Sequence, residues 1–164
     1  PALALGLEPH KKGIMNKPPR KPKESLFSGG VGVKMIWQGA MIGLLSLTAY
    51  WVALRWGRTL EEARTMTFVT MSLSQLVHSF NVRSIEHSLF AIGPGTNRSL
   101  IFALAVSLMA LSIVIFVPFL RGIFETVILR PSDWAVVLGL SVMPLVLVEI
   151  SKQVRRQVPV SGEV

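Results

Sequence analysis

Four long apolar blocks decide what this chain can fold into. They run from Met35 to Leu54, Met66 to Val82, Ser99 to Leu120 and Trp134 to Ile150. Each holds about 17–22 residues, enough to cross a hydrocarbon core of about 30 Å. The backbone finds no water to bond inside such a core, so each block must satisfy its own hydrogen bonds as a helix. The expected fold class is therefore all-α, a polytopic membrane bundle of four transmembrane helices (35–54, 66–82, 99–120 and 134–150). Residues 1–34 are expected to be the end of a preceding region and a basic cytoplasmic loop, and 151–164 a cytoplasmic tail. The chain starts at Pro1 without a signal-peptide pattern, and we read it as part of a longer protein.

The charge is placed where a membrane protein would put it. The net charge is +8, and seven of the 17 Lys and Arg residues lie between Lys11 and Lys34, outside the apolar blocks. There is no nucleic-acid motif and no interleaving of these cations with aromatic rings, so nucleic acid is not an expected partner. Anionic lipid headgroups are. With both ends of the chain inside, 12 of the 17 cations fall on the cytoplasmic side and five outside, which is the bias that orients membrane helices. The expected location is the cell membrane, multi-pass, with both ends cytoplasmic. Trp37, Trp51, Trp56 and Trp134 sit near block ends, where indole rings favour the interface. The stretch KKGIMNKPPRKPKESLFSGG is proline-rich and extended. It reads as a basic stop-transfer flank or as a docking surface for a cytoplasmic domain.

Several chemistries are excluded. There is no cysteine, hence no disulfide and no thiolate metal site. The three histidines are too scattered for a zinc signature. No phosphate-binding glycine loop, nucleophile triad or metal-hydrolase helix occurs. No catalytic residue is expected within this chain, and it cannot hydrolyse a nucleotide alone.

The second block is the polar one, and its stretch MSLSQLVHSFN carries the functional question. Wound at 100° per residue, Val69, Leu73, Leu76 and Phe80 form one stripe, the face suited to lipid. Thr67, Thr70, Ser74, His78 and Asn81 lie roughly opposite, and Ser72, Gln75 and Ser79 form a second polar stripe beside them. Unpaired polar groups are costly in hydrocarbon, so these faces are expected to meet other helices or a hydrated path. One reading is interhelical hydrogen bonding. The other is a cation path lined by Gln75, Ser72 and Ser79, with Gln75 as a metal ligand, since its amide oxygen is a hard, uncharged donor suited to calcium. His78 reads as a packed or interfacial histidine. Gly39 and Gly43 leave a flat face for close helix packing. Pro118 and Pro144 are expected to kink their helices. Glu149 is expected to pair with Lys152, Arg155 or Arg156 at the interface.

The segments PALALGLEP and IMNKPPRKPKESLFSGG resemble the cytoplasmic loop after the sixth membrane helix of P-type cation pumps. TMTFVTMSLSQLVHSFNVRS resembles their eighth helix, and DWAVVLGLSVMPLVLVEISKQVRR their tenth. The resemblance covers Pro1 to about Arg156 and is nearest to calcium-transporting ATPases of bacterial type. It implies that the chain holds membrane helices seven to ten of a translocase that an aspartate phosphorylated by ATP drives between two conformations. Calcium would be the transported substrate, with protons counter-transported. ATP and magnesium would bind cytoplasmic domains outside this chain. Those domains and the remaining membrane helices would be its partners.

In muscle-type pumps the eighth helix supplies a glutamate to the first calcium site. Gln75 falls at that position, and losing the carboxylate implies that this site is lost, leaving one calcium per ATP. The resemblance also implies that Gly39 and Gly43 pack on the long fifth helix, and that the basic loop touches the phosphorylation domain. The alternatives are a pump for manganese, magnesium or sodium, or a stand-alone four-helix membrane scaffold or accessory protein.

Overall fold

The computed structural model of the chain describes residues 1–7, 30–83 and 95–157. Most of the basic loop, the connection 84–94 and the tail from 158 lie outside the described residues. The described residues contain six helices and no strand: α1 (Ala2–Leu5), α2 (Val31–Arg55), α3 (Leu60–Val82), α4 (Arg98–Phe116), α5 (Pro118–Phe124) and α6 (Pro131–Gln157). Three of them, α2, α4 and α6, are long and apolar enough to cross a membrane. The 23-residue α3 would be about 34 Å long at 1.5 Å per residue.

The helices outrun the apolar blocks, and local chemistry gives the reason. α2 closes in a left-handed turn at Gly57 (φ 68°). There Gly57 N–H donates to the Leu54 carbonyl and Arg58 N–H to the Ala53 carbonyl, the paired bonds of a Schellman ending. Thr59 then opens α3. Its hydroxyl accepts from Glu62 N–H at 3.2 Å, and the Glu62 carboxylate accepts from Thr59 N–H at 2.8 Å. This reciprocal capping box starts α3 six residues before the apolar block does. The block from Ser99 to Leu120 is carried by two helices rather than one kinked helix. Val117 is extended (φ −83°, ψ 118°) between α4 and α5, because the ring of Pro118 crowds an α conformation at the preceding residue. Pro144, by contrast, lies inside α6.

α2, α3 and α6 form the packed unit. α2 presents Ile42, Ser46, Ala49 and Ala53, and α6 presents Asp133, Val137, Ser141, Pro144, Val148 and Lys152. Spacings of three and four place each set on one helix face. Ala49, Ala53, Ala63, Met66, Val69 and Val137 are fully buried in one cluster, joined by Ile115 of α4 and Leu129 of the segment before α6. A second cluster joins Met41 and Ile42 to Val148. Those pairings make α3 and α6 run the same way, with α2 and α4 opposite. Val69 therefore lies in the core and not on a lipid face, with Leu73 packed beside it. Helical phase alone could not show that α2 covers that stripe.

α4 is bound more loosely. Only Leu100 and Ile115 of it are buried, while Phe102, Met109 and Phe116 are more than half exposed. Its start is held by Asn97, whose side chain accepts from Leu100 N–H and donates to the Ala4 carbonyl of α1. Its far end stacks Phe116 on Trp134, with ring centroids 6.4 Å apart. The loose seating of α4 leaves a groove along α3.

Candidate functional site

The groove between α3 and α4, closed at one end by Pro1 and Leu5, has a volume of about 600 Å³. Phe68, Leu111 and Val114 make its apolar wall, while Ser72, Gln75, His78, Ser79 and Ser107 supply the polar atoms. Ser72, Gln75 and Ser79 are thus brought together, as their shared stripe predicts. Gln75 is exposed and Ser72 half-buried. Ser79 is buried, its hydroxyl donating to the Leu76 carbonyl at 2.6 Å. Calcium takes six to eight oxygens, so Ser72, Gln75 and Ser107 can form part of a coordination shell and not a whole one. Among the described residues no group of three or more His, Asp or Glu side chains is placed to hold a metal ion.

The other polar stripe of α3 serves a different purpose. Thr70, Ser74 and Asn81 are buried. Ser141 of α6 donates to the Val137 carbonyl at 2.7 Å and lies 3.4 Å from the Thr70 carbonyl. Asn81 Nδ2 donates to the Pro144 carbonyl at 3.0 Å. This stripe belongs to the α3–α6 interface, where the interhelical reading of the polar helix applies. Thr70 Oγ1, Ser74 Oγ and Asn81 Oδ1 have no hydrogen-bond partner among the described residues.

Two ion pairs pin the ends of this interface. At one end Lys152 Nζ lies 3.0 Å from Glu149 Oε1, both side chains buried. The ammonium also donates to the Asn81 carbonyl at 3.3 Å. This is the pairing expected of Glu149, drawn inward to cap the last turn of α3. At the other end Arg58 Nε donates to Asp133 Oδ1 at 2.9 Å, and Arg58 Nη2 donates to the Ser132 hydroxyl. Asp133 Oδ2 accepts from Arg130 N–H, and the Asp133 side chain has no exposure. Sequence reading missed this clamp because Arg58 was weighed only as flank charge and its partner Asp133 lies 75 residues away, in the first turn of α6. The one local signal was an aspartate directly before an apolar block, in PSDW.

Among the described residues, a Cβ built on Gly39 or Gly43 meets no atom of another element within 4 Å. The buried small residues are Ala49 and Ala53, which repeat the four-residue spacing further along α2, and Ala63 of α3.

The family described as "Cation transporting ATPase, C-terminus" matches residues 1–154. The chain belongs to this family. It is 41% identical over 172 residues to calcium-transporting ATPase 1 of Bacillus cereus, covering 95% of this chain and 19% of that protein. It is 37% identical to the calcium-transporting ATPase of Bacillus subtilis, over 96% of this chain and 18% of that one. It is 32% identical to the human calcium-transporting ATPase type 2C member 1, over 95% of this chain and 17% of that one. The chain thus spans under a fifth of the length of these relatives.

Proposed function

We propose that this chain is the C-terminal transmembrane part of a P-type, ATP-driven calcium efflux pump. It supports the cation site and couples it to a cytoplasmic phosphorylation domain. The observation that carries the reading is the open groove wall of Ser72, Gln75 and Ser107 in a chain matched along 95% of its length by calcium-transporting ATPases. ATP and magnesium act in the domains beyond this chain, and calcium is the transported substrate, exchanged for protons. The α3 helix is a fourth span, its polar faces sheltered by α2, α4, α6 and the remaining membrane helices of the pump. The ends that carry Lys34 and Lys152 face the cytoplasm, where the excess of Lys and Arg meets anionic lipid.

Gln75 brings an oxygen without a charge to the groove. A site short of one carboxylate holds a divalent cation more weakly. The intact pump reconstituted in vesicles is therefore expected to move one calcium ion per ATP. Calcium uptake and phosphate release are measured together, and a ratio of two removes the assignment of Gln75.

Gly39 and Gly43 give a second test, because in the pump they are proposed to face a further helix. Gly43→Leu is expected to leave the unfolding of this chain in detergent unchanged, or to stabilise it by up to about 1 kcal/mol through helix propensity. The same change in the intact pump is expected to lower its thermal midpoint and its transport. Equal behaviour of chain and pump counts against the packing role.

A further inference from the structure

We infer that Lys152 is a positioning residue for the groove face of α3, a role that rests on the pump reading above. The last carbonyls of a helix have no partner within it, and near a membrane boundary they must find one. Asn81 carries such a carbonyl, one residue before α3 ends at Val82. Lys152 of α6 supplies the donor, on a side chain only 8% exposed. Burying a cation is costly. Glu149 offsets that cost, and the favourable field at a helix C-terminus adds to the offset.

The arrangement fixes both the depth and the rotation of α3. A slip of one residue moves a helix by 1.5 Å and turns it by 100°. That slip would break the bond from Lys152 to the Asn81 carbonyl, the bond from Asn81 Nδ2 to the Pro144 carbonyl, and the contact of Ser141 with Thr70. Thr70, Ser74 and Asn81 occupy one side of α3, whereas Ser72, Gln75 and Ser79 fall more than a quarter-turn away. Locking the first side therefore aims the second. His78 joins the two: it lines the groove, and its Nδ1 lies 3.4 Å from Asn81 Nδ2. It stands one turn from Gln75. A rigid helix transmits the setting, so no contact between Lys152 and the cation is needed.

The test is calcium-dependent phosphorylation of the intact pump by ATP, comparing Lys152→Met and Lys152→Arg with the unaltered protein. Lys152→Met is expected to raise the half-maximal calcium concentration about tenfold, with the phosphorylation level at saturating calcium retained. Lys152→Arg is expected to restore the half-maximal concentration to within about twofold, since a guanidinium can still donate to both acceptors. An unshifted calcium curve overturns the inference. So does a fall in the saturating level without a shift, which would mark a purely structural lysine. Where Lys152→Met does not accumulate in membranes, Lys152→Gln keeps the test decisive. Its shorter, uncharged side chain stays polar beside Glu149 but loses the ion pair and the reach to the Asn81 carbonyl. A shift in the same direction supports the inference, and no shift overturns it. An unaltered pump without any calcium-dependent phosphorylation removes the functional reading itself. A calcium-dependent pump with an unshifted Lys152→Met curve removes only the role of Lys152.

Discussion

Arg58→Ala is expected to destabilise the chain by about 3–5 kcal/mol. Asp133 has no exposed side-chain surface, and Arg58 meets it at 2.8 Å. Without the guanidinium, the carboxylate keeps the Arg130 N–H and the Ser132 hydroxyl as donors but loses its counter-charge. Removing one partner of a buried pair leaves an uncompensated ion, and this is what makes the loss large. The pair itself is worth much less, because both ions lost their hydration on burial. The double variant Arg58→Met, Asp133→Leu is therefore expected to lose less than the two single variants summed. Chemical unfolding in detergent checks both statements. By contrast, Arg130 and Glu62, 3.6 Å apart with the arginine 62% exposed, form a surface pair. Arg130→Ala is expected to cost below about 1 kcal/mol. An Arg58→Ala variant as stable as Arg130→Ala would show that water or a proton replaces the guanidinium, and that the clamp does not hold this end of the bundle.

Ala53→Leu is expected to cost about 1–3 kcal/mol, the penalty for forcing extra carbons into a filled core. Ala49, Ala53 and Ala63 have no exposed surface and share a cluster with Met66 and Val69, so small residues of α2 and α3 lie in the packed core. In a membrane, close approach of this kind supplies much of the attraction between helices, because lipid tails are as apolar as leucine. The Ala53 carbonyl also accepts from Arg58 N–H in the turn that ends α2. Displacing Ala53 therefore moves the residue that grips Asp133. The contrast with Gly43→Leu isolates the cause: the same side chain is added to the same helix, in open space at one site and against α3 at the other. Equal midpoints for the two variants in detergent would remove the close-packing argument.

The groove was partly legible. The stripe of Ser72, Gln75 and Ser79 follows from helical phase, and the three residues do line one wall. The partners of that stripe were not legible. Nothing local distinguishes Ser72 from Ser74, yet one lines the groove and the other is buried. Their fates differ because α6 covers one side of α3 while α4 stands off the other. The same limit explains the small residues. Gly39 and Gly43 carry the more conspicuous spacing, but Ala49 and Ala53 lie at the level where α3 begins. That level is set by a four-residue connection and a capping box.

By itself the sequence determined the helical class and the length of the apolar blocks. Without water, an apolar stretch of that length must bond its own backbone, and that requirement is local. It also carried the break at Pro118, the turn at Gly57 and the start at Thr59, since each depends on residues within four positions. Only the tertiary structure decided that Arg58 meets Asp133, 75 residues away, and that Lys152 caps the helix bearing Gln75. Those pairings depend on which helix lies beside which and at what depth. That choice rests on many weak contacts, summed over whole helix faces, that no short stretch of the chain contains.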